Sequence, residues 1–279
     1  MNFRTLLFLT ALYGVFAGFG IMIGGMSGLT WALVMSSIIN FFSYFYSDSI
    51  VLRMYSAKQV TEETHPELVN MVTDLCENAQ MPVPRIYIIR EANANAFATG
   101  RNPENAAIAF TTGILSTLDA EELRAVAAHE LSHVLNRDIL INSIAATIAI
   151  AISYAADMIR WSLYFGGRRD DRNNNWGALL LGVIFAPIIA TLIKLAISRS
   201  REFLADECGA QISHSPLALA SALEKIHASP AMKGEESYAR TSTAHLFISN
   251  PFKASFLLNL FSTHPTLQER VERLRKMAH

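Results

Sequence analysis

From Thr5 to Ser47 the chain carries no charged residue, and Gly24, Gly25, Ser27 and Gly28 interrupt this apolar run near its middle. Two segments of about 20 residues, each residue rising about 1.5 Å, cross a hydrocarbon core of about 30 Å, so the run predicts a hairpin of two transmembrane helices. A cleaved signal peptide is the competing reading, but the stretch is longer than an h-region and no small-x-small cleavage site precedes a polar start. Uncharged runs return at Ile139 to Ala156 and Asn173 to Ile193, 18 and 21 residues long. Each is long enough to span, with Pro187 kinking the second. The polar turn R-W-S-L-Y-F-G-G-R-R-D-D-R-N-N-N lies between them. Two buried core helices of a soluble protein are the alternative for this pair, because Asn142, Ser143 and Thr147 are unusual on a lipid face.

Between and beyond these runs the texture is polar and globular. His65-Pro66-Glu67 reads as a helix start, L-V-N-M-V-T-D-L-C keeps helical spacing, and Pro82 and Pro84 end the helix. R-I-Y-I-I-R at 85–90 is β-branched and aromatic, hence a strand, and 106–115 reads as another. N-A-N-A-F-A-T-G followed by R-N-P-E-N gives a strand and a turn between them. Asp119 and Glu122 form a D-x-x-E capping box, which starts a helix at Ala120. A loose polar loop near 228–244 precedes a final amphipathic helix from about Pro265. The predicted fold is α+β, an integral membrane protein with about four transmembrane helices and a small soluble domain. The expected division is a hairpin at 1–47, the first part of the soluble domain at 48–138, a second hairpin at 139–198 and the rest of the domain at 199–279.

Composition agrees with a membrane protein: 51% of residues are hydrophobic and 17% charged, with a mean hydropathy of +0.26. A net charge of −1 removes the basic footprint of a nucleic-acid binder. Cys76 and Cys208 lie far apart without a C-x-x-C pairing and read as reduced, buried thiols, with Cys208 packed. Arg4, Arg53, Lys58, Arg124, Arg137, Lys194, Arg199 and Arg201 flank the span ends on the side of the N-terminus. Only Arg160, Arg168, Arg169 and Arg172 flank the other side. The positive-inside rule then places both termini and the soluble domain in the cytoplasm.

The capped helix carries the candidate chemistry. His129 and His133 are four residues apart and so stack on one face, where one metal ion can take both, while Glu130 points to the side. H-E-x-x-H reads mechanically as two zinc ligands plus a carboxylate that takes a proton from water. A third ligand is needed. Asn136 and Ile139 stand where a metzincin would have Gly and His, which excludes that class. R-E-F-L-A-D offers Glu202 as third ligand, with Asp206 one turn later to accept a hydrogen bond from a ligating imidazole. If both ligand helices continue into adjacent antiparallel spans, their ligands emerge at matching height on one membrane side. His65, His214, His227, His245 and His279 lie in no ligand spacing and read as structural or solvated.

A-A-H-E-L-S-H before a span, S-R-E-F-L-A-D-E-C-G-A after the next, N-A-F-A-T-G upstream and S-T-H-P-T-L-Q-E-R-V near the C-terminus together resemble the HtpX family. These are bacterial membrane zinc proteases of gluzincin type, related to the CAAX prenyl endoproteases. The resemblance covers essentially the full chain. It implies a zinc endopeptidase of the inner membrane with one Zn2+ per chain and a cytoplasmic active site, acting on misfolded or damaged membrane proteins under stress. It further implies oxyanion or substrate contacts from His264 and Arg270, and a substrate-side place for Asn95; a first helical turn for His264-Pro265 and a simple turn at Asn95 are the plainer alternatives. Substrate is expected to lie extended along an exposed sheet edge. Two other classes stand beside this one. A membrane scaffold or chaperone would use zinc only to pin helices, through four protein ligands. A transporter would carry paired ionisable residues at mid-depth, which these spans lack.

Overall fold

The computed structural model describes residues 3–140, 143–144, 199–229 and 265–278. The expected second hairpin lies outside the described residues apart from Ile139, Leu140, Ser143 and Ile144, as do the polar loop beyond Ser229 and His264. The first apolar run is helical throughout, as α1 (Phe3–Met54), yet it doubles back on itself. Gly25 has φ +57°, the Tyr13 hydroxyl donates to Ser37 Oγ at 3.1 Å, and a Cβ on either Gly20 or Gly28 would strike the other residue's carbonyl oxygen. Residues 24 apart on a straight helix would stand about 36 Å apart, so the run is a hairpin whose two limbs touch through glycine. Helix continues past Ser47 to Met54, because Val51 and Leu52 are buried on the sheet and give the last turns an apolar seat.

That sheet is mixed, in the order β1-β2-β4-β3, from β1 (Lys58–Gln59), β2 (Arg85–Ile89), β3 (Ala96–Gly100) and β4 (Ala106–Thr111). β2 runs parallel to β4, while β1 on β2 and β3 on β4 are antiparallel. Period-two alternation sends the two faces of β4 to different partners. Ala106, Ile108 and Phe110 join the main core with α2 (Pro66–Asn78) and α4 (Ala120–Leu135). Ala107 and Ala109 meet Phe97 and the end of α1. The strand expected at 106–115 stops at Thr111, whose hydroxyl accepts from Ile114 N at 3.1 Å and starts the short helix α3 (Thr112–Thr117).

α4 begins as its capping box requires, with Glu122 N donating to Asp119 Oδ1 at 2.9 Å and Asp119 N to Glu122 Oε2 at 3.0 Å. Its end departs from expectation. Arg137 takes φ +59°, its N–H donates to Val134 O at 3.0 Å, and Asp138 N–H donates to His133 O at 3.0 Å. This pair of bonds is a Schellman motif, so α4 stops at Leu135 and does not run straight on into the next helical stretch. α5 (Arg199–Ser213) lies antiparallel against α4, and α6 (Pro216–Ala228) and α7 (Leu267–Met277) complete the main core through Leu219, Leu223, Val271 and Leu274. Thr266 and Glu269 form a second capping box at the start of α7. Cys76 is buried, but Cys208 is only half-buried.

Candidate metal centre

Four elements meet at one point. The middle of α4 is buried all round, and its crossing with α5 is close because Gly209 has no side chain: a Cβ there would lie 2.8 Å from both the backbone N and the Cα of His129. The Ser132 hydroxyl sits at the same crossing, 2.6 Å from His129 O and 3.2 Å from Ala205 O. This contact brings Glu202, in the first turn of α5, over the two histidines. Glu202 Oε2 is 3.9 Å from His129 Nε2, and Glu202 Oε1 is 3.7 Å from His133 Nε2. The imidazoles stand edge to face with centroids 4.9 Å apart.

A metal ion fits this arrangement. The candidate ligand atoms of His129, His133 and Glu202 all lie within 4.8 Å of one another and all three residues are buried. Tetrahedral zinc with ligands at about 2.0–2.1 Å needs donor atoms about 3.4 Å apart, close to the separations found. Charge argues the same way. Among the described residues, the buried carboxylates of Glu130, Glu202, Asp206 and Asp138 surround the site with only the buried guanidiniums of Arg270 and Arg201 against them, surroundings that favour a cation.

The surrounding side chains are placed for support. Asp206 Oδ1 is 3.0 Å from His129 Nδ1, as the one-turn spacing from Glu202 anticipates. Arg270, from α7, grips Asp206 with two bonds of 2.8 and 2.6 Å and stands 3.5 Å from Glu202. Burial, the largest single effect, would raise the Asp206 carboxyl, but the Arg270 guanidinium and the His129 imidazole together outweigh it and hold the group below the usual carboxylate range. Glu130 turns away from the ligand face, and its Oε2 accepts from Ala98 N at 3.0 Å. Burial pushes the Glu130 carboxyl upward, helped by Glu202 and opposed by both imidazoles.

The sheet edge nearest the ligands is not open. All five residues of β3 are buried, and two of its outward amides are taken: Ala98 by Glu130, and Gly100 by Ser143 Oγ at 3.1 Å. The expected exposed edge is therefore covered. Asn95 is buried just before β3, and its backbone N–H donates to Thr111 Oγ1 at 2.9 Å. Of the remaining histidines that are described, His65, His214 and His227 are exposed, away from the site. Sequence reasoning missed Asp138, Arg201 and Gly209. Asp138 Oδ2 lies 3.6 Å from His133 Nδ1, and Arg201 Nη1 lies 3.6 Å from Asp138 Oδ1. The sequence offered only the N-R-D after the helix and a small residue seven after Glu202.

Comparison with known proteins places this geometry. Residues 62–278 match the sequence profile of peptidase family M48. The chain is 50% identical over 276 residues to a protease HtpX homolog of Pyrococcus furiosus, covering 99% of this chain and 95% of that one. It is 49% identical over 280 residues to a protease HtpX homolog of Syntrophobacter fumaroxidans, covering 99% of both. Among solved structures, the crystal structure of S. mikatae Ste24p shares the fold, with a TM-score of 0.55 at 17% identity over 97% of this chain. This chain spans 64% of the length of that one. With a matching profile across most of its length and HtpX relatives at half identity, the chain belongs to peptidase family M48 and is a metalloprotease.

Proposed function

We propose that the chain is a membrane zinc endopeptidase that hydrolyses peptide bonds of misfolded or damaged membrane proteins at the cytoplasmic face of the bacterial inner membrane, in a stress-responsive quality-control role. The observation that carries the reading is the convergence of His129, His133 and Glu202, with Glu130 beside them but turned to β3. A bound zinc ion would supply Lewis acidity toward water and the scissile carbonyl. Glu130 would take the proton of the attacking water and pass it to the leaving amine, for which an elevated carboxyl pKa is suited. Asp206 would keep His129 in the tautomer that offers Nε2, and Arg270 would hold Asp206 in place. His264 and Arg270 as substrate or oxyanion contacts, and Asn95 on the substrate side, belong to the same proposal.

One ion per chain belongs to the same reading, supported by the single cluster of three buried donors among the described residues. A scaffold with a structural zinc would close its site with four protein ligands, and the three-donor set among the described residues favours catalysis. Four spans and cytoplasmic termini rest on the charge pattern, and a lipid partner on the apolar outer face of α1, where Met26, Trp31, Phe41 and Phe42 are exposed. The test is cleavage of an unfolded membrane protein by the purified, detergent-solubilised chain. Wild type is expected to cleave and to stop with a chelator, and Glu130→Gln to keep its zinc and fold but lose hydrolysis. Undiminished turnover in Glu130→Gln at equal zinc content overturns the assignment.

A further inference from the structure

We infer that Asp138, backed by Arg201, is the positioning residue for His133, as Asp206 backed by Arg270 is for His129; this rests on the metal-centre reading above. An imidazole that gives one nitrogen to a metal has its other nitrogen oriented by an acceptor, which fixes tautomer and ring plane. His133 needs such an acceptor at Nδ1, and Asp138 Oδ2 is the carboxylate facing it, at 3.6 Å. That gap is longer than a hydrogen bond, and Nδ1 of His133 and Oδ2 of Asp138 are both buried without a hydrogen-bond partner among the described residues.

The placement is built by backbone. Asp138 follows His133 by five residues, and the Schellman turn folds it back over the last turn of α4, where its N–H binds the carbonyl of His133 itself. One residue thus holds the main chain of His133 and faces its ring. Arg201 Nη1 approaches the other carboxylate oxygen at 3.6 Å, and Arg201 immediately precedes the third ligand. Asp138 and Arg201 are both buried, so the carboxylate faces a guanidinium and not water. Each histidine is therefore followed by a carboxylate and then an arginine. Of the two arginines, Arg201 comes from the ligand helix α5 and Arg270 from α7.

The test uses the full chain in detergent with Asp138→Ala and Asp138→Asn, which both keep the backbone N–H of the turn. Zinc affinity is read by competition with a chromogenic chelator, ligand geometry by the visible spectrum of the Co2+ form, and fold by melting of the metal-free protein. Asp138→Ala is expected to bind zinc about 10- to 100-fold more weakly, with an altered Co2+ spectrum, and to melt lower without metal because Arg201 stays buried without that carboxylate. Asp138→Asn, which retains an acceptor oxygen without the charge, is expected to fall between. Wild-type zinc affinity with a wild-type Co2+ spectrum in either variant overturns the inference. A wild-type chain that takes up neither ion overturns the metal-centre reading and this inference with it.

Discussion

Asp206 and Glu130 are both buried carboxylates, yet their surroundings push them in opposite directions. At Asp206 the Arg270 guanidinium and the His129 imidazole together outweigh desolvation and the folded-state pKa falls; at Glu130 desolvation wins and it rises. A carboxyl with a depressed folded pKa stabilises the fold fully above its unfolded value and loses that contribution as pH falls through the folded one. Metal-free wild type is therefore expected to lose stability below about pH 4, near the ordinary aspartate range, with Asp206→Asn less stable at neutral pH and less sensitive to that acid step. Denaturant melts of both proteins from pH 7 to 3 check it; parallel curves would show that the Arg270 pair contributes nothing. At the thiols, burial pushes Cys76 up to about 12, which leaves it inert, as the sequence suggested.

How much of the site was legible follows element boundaries. His129, Glu130 and His133 could be read because a capped helix fixes their phase, and Glu202 with Asp206 because one turn separates them on a second helix. Asp138 could not, since the usual sign of a Schellman turn is glycine in the left-handed position, and here Arg137 occupies it. An exposed arginine at φ +59° stores strain that glycine would relieve. Arg137→Gly is expected to stabilise the protein by about 0.5–1 kcal/mol, and a fall in melting temperature would contradict the turn described. The helix crossing was equally hidden, because closeness at Gly209 depends on how α4 and α5 pack and not on either sequence alone. Gly209→Ala must push α5 off His129, so a loss of about 1–3 kcal/mol together with weaker zinc binding is expected. Thermal melts and metal titration of that variant read both effects; unchanged values would mean the helices separate without moving Glu202.

For the whole molecule, the hairpin was legible from its uncharged run and central glycines, and the structure adds how its limbs touch and where the second one ends. The limb from Gly25 to Ser47 is about 35 Å long, close to the hydrocarbon thickness of about 30 Å. Phe41, Phe42, Phe45 and Tyr46 are exposed near its far end, where an aromatic belt would meet headgroups, and Arg101 stacks over Phe45 at 5.2 Å. Trp31 is 70% exposed on the same limb. A variant with Trp31 as its only tryptophan, placed in bilayers with brominated acyl chains, is expected to show strong fluorescence quenching. Fluorescence equal to that in unbrominated lipid would remove the span from the reading.

Beyond Ser47 the same helix continues for seven residues, about 10 Å, to Met54 without a break. Its end rests on Phe97, and the next strand residue, Ala98, holds Glu130. The apolar limb, the strand and the Glu130 carboxylate are thus linked in series, and the helix is a stiff rod that could serve as a ruler. On the function proposed above, a peptidase built this way would select its bond by distance from the bilayer: scissile positions would fall at a near-constant number of residues from the end of a substrate's membrane segment, whatever side chains stand there.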